Sequence, residues 1–274
     1  MGADQVDAAQ MTHASLGYEN RAQFYDIEYS ETRDHGFLTS MIGSGSQRIM
    51  VLPGGTGTTA LALHQARPDC ATFSVDIEPE MVLAARARFE GIAGAGRAPV
   101  SVWGDMTDLA FDQPFDRILV AREAFQMLPD VATALACLAS MKQALAPGGQ
   151  IVLDIANFDC PAARSDLNYY DTSRTEGQPY LDCRQPYGAG LLLRHVTQYS
   201  DPNGDRRFQL SYQIETEEAE KTARFEASLA LRRYDLPAVK ALVAQTGLTC
   251  TTVYGDYDRS SFTADAPRIC CILE

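Results

Sequence analysis

Apolar and polar positions along the chain fall into two regimes. Between Arg48 and Ile155 short apolar runs alternate with stretches of helical period, whereas between Gly188 and Tyr234 the period drops to two. In the first regime a buried strand beginning at Arg48 runs into Pro53, Gly54, Gly55, Thr56 and Gly57, followed by the helix-forming stretch Ala60 to Gln65. Thr72 to Asp76 reads as a second strand, and Glu80 to Phe89 carries Met81, Leu83, Ala84 and Phe89 at helical spacing. Val100 to Trp103 and Arg117 to Ala121 are a third and a fourth strand, Val131 to Leu145 a helix, and Gln150 to Ile155 a fifth strand. Ala146, Pro147, Gly148 and Gly149 form the stop before it, since proline cannot continue a helix and glycine supplies the turn. Strand and helix alternating in this way predict parallel strands joined by right-handed crossovers, an α/β doubly wound sheet.

In the second regime His195, Thr197 and Tyr199 alternate, then Phe208, Leu210, Tyr212 and Ile214, then Phe225, Ala227, Leu229 and Leu231. Asn203-Gly204 between the first two runs is a hairpin signal, so three antiparallel strands inserted as a lid are expected. Pro237 to Gln245 is a last helix ended by Gly247, and Leu248 to Tyr254 with Arg268 to Leu273 should complete the sheet as a terminal hairpin.

Composition narrows what this scaffold serves. At 274 residues the chain can bury one full α/β core with an insertion. A formal net charge of -13 disfavours a surface that tracks phosphates, so nucleic acid is not an expected partner. The 7 cysteines are odd in number and lack CxxC spacing, which suits a reducing compartment. The first residues carry no apolar h-region and no run approaches membrane-spanning length, so the expectation is a cytoplasmic protein without a membrane partner. His13, His35 and His64 are scattered without ligand spacing, and no metal is implied.

The glycine turn allows a backbone loop to press against a nucleoside cofactor where any Cβ would collide, although glycine also appears in such turns for packing alone. Asp76 ends the second strand, where a carboxylate can accept both hydroxyls of a ribose bound over that turn, a spacing that fits NAD as well. Gly104, Asp105 and Met106 after the third strand would put a carboxylate near an adenine amino group and a thioether against its ring; the plain alternative is an exposed turn.

Taken in order, the glycine turn, Phe73 to Met81, Trp103 to Met106, Phe115-Asp116 and Leu145 to Gly149 closely resemble the class I S-adenosylmethionine-dependent methyltransferases over roughly residues 36–158. The tail Gly255 to Arg268 resembles the closing hairpin of the small-molecule, natural-product branch. The resemblance implies a seven-stranded Rossmann-like sheet in the order 3-2-1-4-5-7-6 with the last strand antiparallel. Its domains would be a helical cap at 1–35, a cofactor-binding unit at 36–158 and 235–274, and the lid at 159–234. It implies that Pro53, Gly54, Gly55, Thr56 and Gly57 line the methionine and ribose, that Asp76 holds the ribose, that Ile77 and Met81 flank the adenine, and that Asp105 and Met106 bind its other edge. The backbone near Ala121 would carry the methionine ammonium, and Tyr18 and Tyr25 of the cap would close over the cofactor. S-adenosyl-L-homocysteine would be the product. Two departures stand out: Val51 occupies the position where the pattern has an acid, and Pro53 the position of its first glycine.

Methyl transfer from a sulfonium is an in-line displacement that asks little beyond placing a nucleophile, excluding water and, where required, taking a proton. Arg122 and Glu123, immediately after the fourth strand, face the crevice at the carboxyl end of a central strand. Glu123 is the candidate proton acceptor and Arg122 a candidate grip on a carboxylate, with a mutual ion pair as the structural alternative. Tyr29, Asn157, Tyr169, Tyr170 and His195 are candidate substrate contacts, and His195 is the second candidate base. The expected function is methyl transfer to a hydroxyl or amine of a small specialised metabolite, with homodimer formation left open. Alternatives are a methyltransferase fold catalysing a non-methylating reaction such as cyclisation, an NAD(P)-binding oxidoreductase, and a binding protein with a degenerate cleft.

Overall fold

The computed structural model describes residues 21–30, 32–45, 47–92, 97–160, 174–215 and 223–274. Two helices, α1 (Ala22–Glu28) and α2 (Arg33–Ser40), precede a seven-stranded sheet. The sheet comprises β1 (Arg48–Val51), β2 (Ala71–Asp76), β3 (Val100–Trp103), β4 (Phe115–Val120), β5 (Leu145–Ala156), β10 (Cys250–Tyr254) and β11 (Arg268–Leu273). Helices α3 (Thr58–Ala66), α4 (Pro79–Phe89), α5 (Val131–Ala144) and α6 (Leu236–Gln245) cover it. The strand order is β3-β2-β1-β4-β5-β11-β10; β1 to β5 run parallel and β11 lies antiparallel to both β5 and β10. This is the order and the antiparallel closing strand that the sequence led us to expect.

The central strands are buried on both faces because apolar residues follow one another along them, and the pleat sorts these between two cores. Met50, Leu52, Ile118, Val120, Ile151, Leu153, Ile269 and Cys271 pack with Leu138 and Met141 of α5 and with Val239 and Val243 of α6. The intervening Ile49, Val51, Leu119, Val152, Cys270 and Ile272 pack with Phe37 and Leu38 of α2, Leu63 of α3 and Phe89 of α4. Val51 therefore sits where an apolar side chain is required, and an acid there would be desolvated against Phe37 and Leu119.

The second sheet is antiparallel, β6-β7-β8-β9, from β6 (Tyr180–Tyr187), β7 (Gly190–Ser200), β8 (Arg206–Glu215) and β9 (Ala223–Leu231). It has four strands where periodicity gave three. The missed strand, β6, lies at the sheet edge with charged or polar residues in both of its rows and contains Pro186, which an edge tolerates, so no apolar row betrays it. The inner face of this sheet presents Leu192, Val196, Phe208, Leu210 and Tyr212, and Phe24 of α1 inserts among them, stacked on Tyr212 at 5.2 Å and edge-on to Tyr187 at 5.3 Å. Beneath that contact Glu28 pairs with Arg21 at 2.7 Å and with Arg194 at 3.2 Å, and Arg194 with Asp182 at 2.7 Å, all in the interior. The short helix α1 is thereby fixed to the lid by one aromatic plug and one charge chain.

Candidate active site

Parallel strands with helices on both faces leave a crevice at their carboxyl ends, and here β1, β2 and β4 end together on a cleft of about 980 Å³ that is open to solvent. The turn after β1 is pressed onto β2. A Cβ on Gly54 would stand 2.0 Å from Ser74 Oγ and 2.9 Å from the Ser74 carbonyl carbon, so no other residue fits. Pro53 offers no N–H, and the next two amides turn inward: Gly54 N donates to Val75 O at 2.6 Å and Gly55 N to Asp76 Oδ2 at 2.7 Å. Gly57 takes the left-handed conformation, φ 84°, at the N-terminus of α3, facing Phe89.

Asp76 lies at the floor, 6% exposed, and its other oxygen, Oδ1, accepts Glu78 N at 2.9 Å. Burial pushes its carboxyl up to about 6; the two amides only partly offset this, and the charge of Glu78 adds to it. Ile77 and Met81 line the cleft beside it, with the Ile77 carbonyl held by Trp103 Nε1 at 2.9 Å. A side chamber shares Pro53, Asp76, Ile77 and Met106 with the main cleft and is walled by Gly104 and Asp105. Asp105 Oδ1 accepts the amide and the hydroxyl of Thr107, both at 2.8 Å.

The cap closes the outer side. The Tyr25 ring lies over Gly55, with ring atoms 3.3 to 3.5 Å from where a Cβ would be, and Tyr25 packs on Tyr29 at 4.5 Å. Asp26 accepts Thr56 Oγ1 at 2.5 Å and pairs with Arg88, whose Nε donates to Thr56 O at 2.8 Å, so α1 is latched directly to the glycine turn.

At the end of β4 the backbone is strained. Arg122 adopts φ 48°, which costs a non-glycine residue energy that the surroundings must supply. Its amide donates to Asp154 Oδ2 at 2.9 Å, and its guanidinium grips Asp34 of α2 by two bonds, 3.1 and 3.0 Å. Burial opposes the charge of Arg122, but the bond and charge of Asp34 overcome it and hold the guanidinium more firmly protonated than usual. Next to it Glu123 pairs with Arg268, which also holds the fully buried Asp154 at 2.6 Å; Tyr257 OH donates to Asp154 Oδ2 at 2.8 Å. Burial likewise opposes the charge of Arg268, and Asp154, Tyr257 and Glu123 outweigh it. Two arginines and three carboxylates thus close the β4 end of the crevice with no guanidinium uncommitted.

Residues 49–149 match the family described as methyltransferase domain. The cypemycin N-terminal methyltransferase of Streptomyces sp is 24% identical over 269 residues, 96% of this chain and 99% of that one. Among solved structures, a S-adenosylmethionine-dependent methyltransferase from Clostridium acetobutylicum ATCC 824 superposes with a TM-score of 0.69 at 15% identity, covering 94% of this chain and 98% of its own. The sugar N-methyltransferase KedS8 from Streptoalloteichus sp ATCC 53650 gives a TM-score of 0.64 at 18% identity over 99% and 98%. Residues 49–149 of the chain are a methyltransferase domain.

At this domain the cleft brings together Tyr25, Tyr29, Pro53, Gly54, Gly55, Asp76, Ile77, Met81, Met106, Ala121, Arg122 and Glu123, with Asp105 in the side chamber. Thr56 and Gly57 shape the turn without lining the space. Tyr18, Tyr169 and Tyr170 lie outside the described residues.

Three expectations need correction. His195 is not at the site: the buried row of β7 is Leu192, Arg194, Val196 and Gln198, so the pleat turns His195 to the other face, opposite Ser211 of β8. Asn157 is no substrate contact, because its Nδ2 donates to Ala264 O at 3.1 Å and Ala266 O at 2.8 Å and its Oδ1 accepts Asp159 N, tying β5 to the loop before β11. Arg122 is not a free grip for a carboxylate, nor does it pair with Glu123; Asp34 takes it, and Arg268 takes Glu123. Sequence reasoning missed Asp34, Asp154 and Arg268 altogether. An acid inside the apolar run Ile151 to Ile155 was the one signal that pointed to them. Leu229 and Leu231, which with Met127 complete the apolar wall of the cleft, were read only as strand positions, and Met127 was given no role.

Proposed function

We propose that this methyltransferase acts on an amine nitrogen of a small-molecule acceptor. The observation that carries the reading is the composition of the methyl end: the carboxylate of Glu123 stands on the cleft wall, and both neighbouring guanidiniums are spent on buried acids. Such a wall attracts a cationic acceptor and repels a carboxylate or phosphate. One relative is described as an N-terminal methyltransferase and KedS8 as a sugar N-methyltransferase, which supports the same choice. The cyclising, nicotinamide-dependent and non-catalytic alternatives draw no support from these matches.

The residues present suit the cofactor, since the turn has no room for side chains at Gly54 and the floor carboxylate is oriented by two amides. In this reading Gly54 and Gly55 line the methionine and ribose on a turn that Thr56 and Gly57 shape, Asp76 accepts the ribose hydroxyls, Ile77, Met81 and Met106 enclose the adenine with Asp105 at its edge, and the Ala121 backbone meets the ammonium. The bound cofactor supplies an electrophilic methyl group on a sulfonium. Tyr25 and Tyr29 exclude water from that end, Tyr25 by covering Gly55. Glu123 accepts Arg268 Nη1 at Oε1, which leaves Oε2 to receive an N–H of the acceptor and hold its nitrogen at the mouth. An amine that has released one proton to water attacks with its own lone pair, and the product ammonium returns a second proton to solvent. A hydroxyl would instead need a strong base, and carboxylates are poor ones for alcohols.

Matched acceptors decide it: an amino sugar and the sugar bearing hydroxyl at the same carbon, each incubated with methyl-labelled S-adenosylmethionine. Label on nitrogen only is expected, and Glu123→Gln should raise KM for the amine more than it lowers kcat. Label confined to oxygen would refute the reading.

A further inference from the structure

One edge of the lid sheet is open and leads to the methyl end of the cleft. Strand β9 is terminal in the order β6-β7-β8-β9 and pairs with β8 along its whole length. On its other side no backbone hydrogen bond is made by Ala223 to Leu231 among the described residues. An unpaired strand edge is a template for another extended chain.

The position of this edge gives it a use. Leu229 and Leu231 of β9 line the same cleft as Glu123 and Met127. Just beyond them Arg232 N donates to Gln126 O at 2.7 Å and Gln126 Nε2 to Arg232 O at 2.9 Å, so the strand is pinned to the turn that follows Glu123 and the open edge stops there. Arg224, Glu226, Ser228 and Ala230 are exposed, whereas the alternate row is sheltered and apolar.

We propose that the acceptor is the terminal α-amine of an extended peptide that adds to β9 as a fifth, antiparallel strand. This rests on the amine reading above. Orientation follows from geometry: β9 runs toward Leu231, so a chain antiparallel to it has its amino terminus at the Leu231 end, beside Glu123. Backbone pairing supplies affinity without demanding a sequence, and the sheltered row of β9 favours apolar side chains at alternate acceptor positions. The carboxylate of Glu123 complements the terminal ammonium, and the turn at Gln126 blocks passage of an internal segment, so only a chain end reaches the methyl.

The test uses the whole protein with methyl-labelled S-adenosylmethionine. Its acceptors are an alternating apolar–polar hexapeptide amide, the amino-acetylated form, members with one backbone amide N-methylated in turn, n-hexylamine, and the amino sugar used above. Label is expected on the terminal nitrogen of the free hexapeptide and absent from the acetylated one, with KM about tenfold below that of n-hexylamine. Backbone methylation should raise KM about fivefold at every second position and leave the intervening ones unchanged, because alternate amides face the partner strand. Equal kcat/KM for hexapeptide and n-hexylamine, or a penalty indifferent to position, overturns the proposal. Label on the simple amines with none on the peptide overturns this proposal alone; label on no amine at all overturns the amine reading with it. A dimer in which β9 is protected from amide exchange before any acceptor is added would assign the edge to a second copy and also overturn it.

Discussion

With Asp76 holding the ribose, as proposed, cofactor affinity should depend on pH in a direction set by the burial of its carboxyl. The carboxylate is enclosed, each oxygen accepting one backbone amide, and burial pushes its titration up to about 6. Ribose hydroxyls donate well only to the ionised form, so S-adenosyl-L-homocysteine should bind with full affinity above that value and lose it below. One pH step under the midpoint leaves roughly a tenth of the carboxyl ionised, which raises Kd about tenfold, or about 1.4 kcal/mol. Stability of the free protein moves the opposite way. A buried acid raised above its unfolded value of 3.8 holds protons in the native state that the unfolded chain has released, so stability falls as pH rises from about 3.8 to about 6, by at most about 3 kcal/mol. Titration calorimetry at about pH 5, 6 and 7, with thermal unfolding of ligand-free protein across the same range, reads both slopes. The ligand's own carboxyl and amino groups titrate at about 3.5 and about 8, outside this window. His35, whose imidazole is held below its usual range by burial, touches Thr59 of the cleft at 3.3 Å, so His35→Gln is the control. Asp76→Asn should flatten both slopes. A pH-independent Kd in the parent protein, or a slope that survives Asp76→Asn, would refute the assignment of Asp76 to the ribose.

Other expectations concern the supports of the site. Gly57→Ala forces a Cβ into φ 84° and to 2.6 Å from Phe89 Cζ, and should destabilise the protein by about 1 to 3 kcal/mol in denaturant unfolding, only partly relieved by Phe89→Leu because the backbone strain remains. Arg268→Met strands the fully buried Asp154 and should cost about 3 to 5 kcal/mol, with Asp154→Asn in the same chain restoring part of it; additive losses would show that the two do not act as a pair. Asp26→Ala removes the latch between α1 and the glycine turn, and should weaken S-adenosyl-L-homocysteine binding severalfold while shifting the unfolding midpoint little, since the Asp26–Arg88 pair is partly solvent-exposed.

Much of the fold was legible because it is written in local periodicity. The parallel strands of the large sheet are short, largely apolar runs bounded by turn signals, and the helices between them repeat at their own spacing, so their direction follows from connection rules, whereas the strand order was implied by the family resemblance. Fit between the chain and these rules failed where the cause is not local. Strand β6 exists because β7 offers it a partner and because Asp182 finds Arg194, neither of which its own eight residues announce. The strand β5 begins at Leu145, earlier than the stop signal implied, because Leu145 pairs with Phe115 of β4 across a bulge and keeps the proline segment extended.

The site divides along the same line. The turn, Asp76 and the segment after β3 could be read from sequence because single windows supply both the backbone shape and the functional atom. The methyl end could not, because its chemistry depends on which charge meets which. Arg122 and Glu123 are neighbours in sequence, yet strain at φ 48° turns their side chains to different partners, one to Asp34 on the cap and the other to Arg268 on the closing strand. That arrangement determines what the mouth can attract: had Arg122 paired with Glu123, the crevice would present a neutral wall and a buried, unmatched Asp34. With Arg122 held by Asp34 and Arg268 shared between Asp154 and Glu123, the carboxylate of Glu123 stands on the cleft wall with Oε2 unpaired among the described residues, and the cationic acceptor proposed above rests on pairings made by α2 and β11, elements far from Glu123 in sequence.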